Sequence, residues 1–245
     1  MTNNNKSILI FGGTGGIGSR TAQKFIDSGW KVILASRGNR EAEQAVSQNS
    51  DVVLETVDAA NESEVEELFA KHSDSNINAI VNCVGSIYLK PLHITSIDDW
   101  NNVITTNLTT SFIILKYGIK YFRTHKIKGS FVFSSTAATH IGLMNHEVIG
   151  AAKAGVEGLV RSAAASLASQ QIRVNSVAPG LVDTPLASGI TGNESALKAS
   201  QSLHSLGRIG QPEDIASAIS WLITEATWMT GQTLVVDGGL SSIKK

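Results

Sequence analysis

The chain has 245 residues, 20 Lys+Arg against 21 Asp+Glu, a hydrophobic content of 42%, 22 Gly, one Cys and three Tyr. That is the size and composition of one compact α/β domain with a full core, and a net charge of −1 without a basic cluster excludes nucleic acid or an anionic membrane surface as the main partner. The single Cys excludes an internal disulfide, and no apolar run approaches the ~18–20 residues of a membrane span. The polar opening Met1–Lys6 is unlike a signal peptide, so the expected location is the cytoplasm, and the N-x-S/T triplets at Asn61, Asn107 and Asn193 lose their glycosylation reading.

Short β-branched runs alternate with longer helical patterns. In chain order the pattern predicts a strand at Ser7–Phe11, a helix at Ile17–Ser28, a strand at Lys31–Ala35, a helix at Asn39–Ser47 and a strand at Val52–Val57. A helix at Glu62–His72 follows, with Asn61 and Glu64 as a capping box, then a strand at Ala79–Val84 and a long helix at Asp98–Phe122. The remainder reads as strand Ser130–Phe133, helix His146–Ser169, strand Arg173–Val177, helix Pro212–Thr224 with Glu213 and Asp214 in its first turn, and strand Thr233–Val236. The strands are nearly continuous in apolar residues, as strands buried on both faces are. The expected fold is therefore α/β: a Rossmann-type, doubly wound parallel sheet of about seven strands with helices on both faces, in a single domain spanning 1–245. Asp183–Gly207 lacks clear periodicity, and a loop of that length reads as a lid over a substrate site, about 183–207.

The first strand runs into Phe11-Gly-Gly-Thr-Gly-Gly-Ile-Gly18 and directly into a helix. Glycines at 12, 16 and 18 allow a tight turn, close approach of backbone to a pyrophosphate and close helix–sheet packing, with the phosphate at the helix N-terminus. Thr14 and Ile17 belong to the same turn. The pattern follows a strand and opens a helix at the start of an alternating βα chain, which is the context that gives a glycine motif its meaning.

With the spacing Gly12-x-x-x-Gly16-x-Gly18, the chain resembles the short-chain dehydrogenase/reductase family over nearly its whole length. The resemblance extends to Asp58, Asn82-Cys-Val-Gly85, Asn107, Ser134-Ser135, Lys153, Arg173-Val-Asn-Ser-Val-Ala-Pro-Gly180 and Thr184. It continues in Arg208-Ile-Gly-Gln-Pro-Glu-Asp-Ile-Ala216 and in Gly231 to Gly239. It implies a dinucleotide-dependent oxidoreductase acting between a small-molecule carbonyl and an alcohol. It further implies Asp58 at the adenine, Asn82 and Gly85 at the ribose and nicotinamide side, Lys153 at the nicotinamide ribose, and Pro179, Gly180, Val182 and Thr184 at the nicotinamide end. Cys83 stands where the family often has a second Asn, and reads as a small buried side chain rather than a reactive thiol.

The end of the second strand chooses between dinucleotides. An acid there would accept hydrogen bonds from the adenosine ribose and repel a 2′-phosphate, whereas this chain reads Leu34-Ala-Ser-Arg37. Arg37 can form a charge-assisted bidentate contact with a 2′-phosphate and Ser36 can add a hydroxyl, so NADP(H) is expected over NAD(H), with Arg40 a weaker second candidate.

The family's chemistry uses a Tyr four residues before the Lys. The ammonium lowers the phenol pKa, a Ser hydroxyl holds the substrate oxygen, and an Asn supports a water relay. Lys153, Ser135 and Asn107 stand at their positions, but position 149 is Ile, which can neither give nor take a proton. Tyr88, Tyr117 and Tyr121 all lie far from Lys153 in sequence. His146, Ile149 and Lys153 fall at i, i+3 and i+7 on one helix face. Three roles stay open for His146: substitute acid/base, a role that histidine side chains serve near neutral pH, substrate-binding donor, or structural residue at the helix start beside Asn145 as cap. His140 is a weaker alternative. The histidines at 72, 93, 125 and 204 show no ligand spacing, so no metal is expected.

Two further expectations follow from the resemblance and from the missing Tyr. Ala151, Gly155 and Gly158 form a stripe of small residues followed by Ala163 to Ala165, which the family resemblance reads as part of a homotetramer or homodimer contact. The absent tyrosine opens a competing function: a catalytically impaired dinucleotide-binding homologue with a regulatory or interaction role. A third possibility is a substrate that contributes its own acid.

Overall fold

The structure, a computed structural model, describes residues 6–38 and 51–244. The helix expected at Asn39–Ser47 and the candidate Arg40 lie outside the described residues. Seven parallel strands form one sheet: β1 (Ser7–Phe11), β2 (Lys31–Ser36), β3 (Val52–Thr56), β4 (Ile77–Asn82), β5 (Ser130–Ser134), β6 (Arg173–Pro179) and β7 (Thr233–Val236), in the order β3-β2-β1-β4-β5-β6-β7. Parallel neighbours require crossovers, and these carry helices to both faces. The described helices are α1 (Gly16–Asp27), α2 (Glu62–Lys71), α3 (Ile97–Ile104), α4 (Thr110–Thr124), α5 (Glu147–Leu167), α6 (Ser188–Thr191), α7 (Glu194–Leu203) and α8 (Pro212–Thr224).

Alternate residues of the five inner strands feed two cores. Leu9, Ile80, Phe131 and Val174 pack on one face against α2, α4 and α5, while Ile8, Ile10, Val81, Val132 and Val177 pack on the other against α1 and α8. Phe122 and Phe131, with ring centroids 4.9 Å apart, join α4 to the sheet. Arg173 caps the other side: its guanidinium donates to the carbonyls of Leu222 (2.7 Å) and Ile223 (2.9 Å), satisfying the C-terminal end of α8. Asn175 donates to Met229 O and accepts from Gln232 N, so these two members of the 173–180 motif hold architecture.

Four local expectations are corrected. The helix expected at Asp98–Phe122 is interrupted, because residues Thr105–Thr109 form a wider π turn between α3 and α4. The segment Asp183–Gly207 is largely helical, with a 3-10 turn at Pro185–Ala187 followed by α6 and α7. Helix α7 buries none of its side chains and rests on local terms, the Asn193 cap (3.0 Å to Ala196 N) and the Glu194–Lys198 pair, so it left no apolar period to read. At α2 the Asn61 side chain does cap Ser63 and Glu64, but the Glu64 carboxylate accepts from Asp58 N (2.7 Å) instead of completing a box. At α5 the cap position is His146, and Asn145 takes a left-handed φ of +64° before it.

Candidate functional site

The strand order reverses direction between β1 and β4, and in such sheets the crevice for a ligand opens beyond the carboxyl ends of the strands at that point. The carboxyl ends of β1, β2, β4, β5 and β6 deliver the glycine turn, Ser36-Arg37, Cys83 to Gly85, Ser134-Ser135 and Pro179-Gly180 to one edge. The fold thus gathers residues that lie up to 168 positions apart in the chain, from Gly12 to Gly180.

In the glycine turn the missing side chains are the working feature. Gly12 has φ +71°, and a Cβ there would stand 2.9 Å from the Cys83 carbonyl carbon. A Cβ on Gly18 would fall 2.2 Å from Gly12 O, and one on Gly16 would fall 2.7 Å from Thr184 Cγ2. Gly15 ends the turn as the N-cap of α1 without a side-chain cap, leaving main-chain N–H groups and the positive helix end for an anion. This cradle fits a dinucleotide pyrophosphate. Ser36 and Arg37 lie at the end of β2, with Arg37 exposed; Asp58 Oδ1 accepts from Ala60 N (2.9 Å) in the turn after β3. The Asn82 side chain is spent inside the fold, donating to Ser111 Oγ (3.0 Å) and accepting from Val84 N (2.9 Å), so only its main chain faces outward chemistry. Burial pushes the Cys83 thiol up to about 12, against small opposing effects of Ser134 and Lys153.

The catalytic candidates gather around Gly85. Asn107, fully buried in the π turn, donates to Ser86 Oγ and Val103 O (both 2.9 Å) and accepts from Ser86 N (3.1 Å). Lys153 is buried and donates to Ser134 O at 2.8 Å; burial lowers its pKa to about 8. A Cβ on Gly85 would meet both Asn107 Oδ1 (3.0 Å) and Lys153 Nζ (3.2 Å). This glycine therefore keeps open the space beside the amide and the amine.

Ile149 is buried with Val103, Val148 and Ala152, and Tyr88 and Ile104 pack against that cluster. Tyr88, distant in sequence, is thus the tyrosine that the fold carries to the neighbourhood of position 149, with its hydroxyl on Thr95 Oγ1 (3.2 Å). His146 sits at the entry of α5 with Nδ1 on Met144 O (2.8 Å). No hydrogen bond among the described residues links it to Ser135, Lys153 or Asn107. Val182 is buried and bridges to Gly210, and Thr184 precedes the 3-10 turn at Pro185–Ala187.

Two residues that the sequence reading passed over belong to this edge. Glu157, two turns beyond Ile149 and one beyond Lys153 on the same helix face, is buried and accepts from Ser135 Oγ at 2.6 Å. His204, at the end of α7, is buried, with Nδ1 donating to Ser200 O (2.6 Å) and Nε2 accepting from Leu181 N (3.1 Å), which ties the end of α7 to the Pro179–Thr184 segment. The i, i+4 spacing of Lys153 and Glu157 was the one available signal for the first; nothing local marked the second.

Comparisons with known proteins agree with this geometry. A family model described as enoyl-(acyl carrier protein) reductase matches residues 12–241. The chain is 31% identical over 244 residues to 3beta-hydroxysteroid dehydrogenase 1 of Eggerthella lenta, covering 96% of this chain and 94% of that protein. It is 33% identical over 248 residues to a 3-oxoacyl-(acyl-carrier-protein) reductase of Chlamydia pneumoniae, covering 96% and 97%. Among solved structures, ElxO with NADP bound superposes with a TM-score of 0.90 at 28% identity, covering 98% of this chain and all of that one. A short chain dehydrogenase/reductase family protein superposes with a TM-score of 0.88 at 29% identity, covering 99% and 100%.

Proposed function

The chain belongs to the short-chain dehydrogenase/reductase family, whose members here are oxidoreductases, and from that premise we propose that it is an NADP(H)-dependent oxidoreductase interconverting a small-molecule carbonyl and an alcohol with a nonstandard proton donor. The observation that carries the cofactor choice is the pair Ser36-Arg37 at the carboxyl end of β2, where no acid stands to repel a 2′-phosphate. The bound ElxO structures support a nicotinamide dinucleotide in a fold of this kind.

In this reading the main chain of Gly12, Thr14, Gly16, Ile17 and Gly18 holds the pyrophosphate. Asp58 meets the adenine, and Asn82, Gly85 and Lys153 line the ribose. Pro179, Gly180, Val182 and Thr184 take the nicotinamide end. When bound, the nicotinamide supplies or accepts the hydride. Ser135 holds the substrate oxygen, Lys153 brings a buried positive charge beside it, and Asn107 fixes the main chain at Ser86. The proton cannot come from Ile149. His146 at the mouth of α5 is one source, and the groups reached through Ser135 are another. Segment 183–207 serves as the substrate lid, the functional unit is one domain, the assembly is a homodimer or homotetramer, and the protein works in the cytoplasm. No helix among the described residues is long and apolar enough to cross a membrane.

A second reading is favoured by one observation, the apolar cluster that closes over Ile149. It is a dinucleotide-binding homologue that has lost catalysis and acts as a regulatory partner. Calorimetry and a turnover assay separate the two. NADPH is expected to bind at least ten times more tightly than NADH, and Arg37→Ala should weaken NADPH by about 10–100-fold while leaving NADH unchanged, the worth of one or two charge-assisted hydrogen bonds. Binding of NADH but not NADPH overturns the cofactor assignment. A wild type that turns over no carbonyl or alcohol, but gains turnover as Ile149→Tyr, establishes the second reading.

A further inference from the structure

Behind Ser135 lies a buried polar cluster that the usual roles of Ser, Lys and Asn do not use. The Glu157 side chain is only 9% exposed. Its Oε1 lies 2.6 Å from Ser135 Oγ, 2.6 Å from Thr139 Oγ1 and 3.2 Å from His140 Nε2, and its Oε2 lies 3.9 Å from Arg161 Nη1. These are the titratable and hydrogen-bonding groups that face it, from the turn after β5 and from α5 itself. His140 is one-third exposed, so the cluster runs from a buried serine to solvent. Burying a carboxylate without partners is costly, and here the partners converge on the oxygen that faces Ser135.

A serine hydroxyl has one proton and two lone pairs. With that proton given to Glu157, Ser135 keeps lone pairs that can accept a hydrogen bond from an alcohol, but cannot donate one to a carbonyl. We infer that Glu157 is the proton acceptor that stands in for the missing phenol, acting through Ser135 on a secondary-alcohol substrate. The inference rests on the oxidoreductase reading above. In the oxidation direction the alcohol O–H bond breaks and its proton forms a new bond to Ser135 Oγ as the Ser135 proton passes to Glu157 Oε1. The carbinol C–H bond breaks with its electron pair, the hydride going to the oxidised nicotinamide dinucleotide, and the carbonyl forms. Glu157 returns to its carboxylate by passing the proton to Nε2 of His140 in its Nδ1–H form, and from there to water. Glu157 is in this scheme a positioning and relay residue, since it touches the substrate only through Ser135.

The test uses the full chain with NADP+ and three probe alcohols, isopropanol, cyclohexanol and borneol. Glu157→Gln keeps the volume and a hydrogen bond to Ser135 but cannot take a proton. It is expected to lower kcat about 100-fold or more, the usual worth of a general base, while leaving NADP+ affinity within about twofold. Glu157→Asp should recover part of the loss, and the acid limb of the kcat profile should disappear in Glu157→Gln. Infrared spectroscopy of the free protein supplies a readout independent of turnover. The carboxylic-acid band that grows on acidification and is absent in Glu157→Gln should shift in Ser135→Ala. An undiminished kcat or an unchanged pH profile in Glu157→Gln overturns the relay and leaves the oxidoreductase reading standing. A wild type that binds NADP+ yet oxidises none of the probes counts against the oxidoreductase reading instead. A Glu157 band indifferent to Ser135→Ala overturns the coupling in either case.

Discussion

The glycine turn and helix α5 meet at the same edge of the sheet and work in opposite ways. The turn acts through absent side chains: Cβ atoms at Gly12, Gly16 and Gly18 would strike main chain or Thr184, so the backbone itself comes forward. Helix α5 acts through the side chains it presents on one face, Ile149, Lys153 and Glu157, the first sealed in an apolar cluster and the other two buried with polar partners. A site built from backbone tolerates divergence around it. A site built from side chains changes its chemistry with one substitution.

Filling the turn is the most disruptive change at this edge. Gly18→Ala places a Cβ 2.2 Å from a main-chain oxygen, which neither strand nor helix can yield easily. The expected result is loss of NADPH binding by at least about 100-fold in calorimetry and a stability loss of about 4 kcal/mol in urea melts. Near-normal values for both would show that the turn is not held as described.

A smaller effect probes the buried amine on α5. Lys153 carries a proton up to an ordinary value of 10.5 when unfolded but only to about 8 when folded, because burial disfavours the ammonium. Between those values the unfolded chain binds more protons, so stability rises with pH across that window and the penalty is fully present below about 8. Measured at pH ~7 and ~10, the wild type should gain about 2.5 kcal/mol relative to Lys153→Met over the same interval. Parallel pH dependences in the two proteins would remove the buried-charge interpretation.

The smallest effect sharpens the contrast by using a glycine of the same helix. A Cβ on Gly150 meets nothing within 4 Å. Gly150→Ala should therefore stabilise the protein by roughly 0.5–1 kcal/mol through helix propensity alone, with NADPH affinity unchanged. Destabilisation there would mean that α5 is packed more tightly at its outer face than its geometry indicates.

Much of the fold was legible because its signals are local. All seven strands lie where β-branched runs stand, and parallel pairing follows from their apolar continuity and the helices between them. What escaped were features without a local period. The π turn at Thr105–Thr109 sits inside an unbroken apolar pattern, and α7 has no buried face to mark it. At the candidate site, Ser135, Lys153 and Asn107 were readable by position. Their actual partners were not, since Ser135 finds Glu157 across 22 residues and Leu181 finds His204 across 23. His146 drew attention by its helix-face spacing, yet it is His140 that lies beside the carboxylate bonded to Ser135.

By itself the sequence determined the sheet, the glycine turn between the first strand and its helix, and the absence of a proton carrier at residue 149, because strand runs, glycine spacing and residue identity are properties of neighbours along the chain. Only the tertiary structure decided which way the Ser135 proton points, which histidine stands near it, and that Tyr88 packs against the cluster around Ile149. Those are distances between distant segments, set by how the crossover helices close over the sheet, and hydrogen bonds form or fail within a few tenths of an ångström of them.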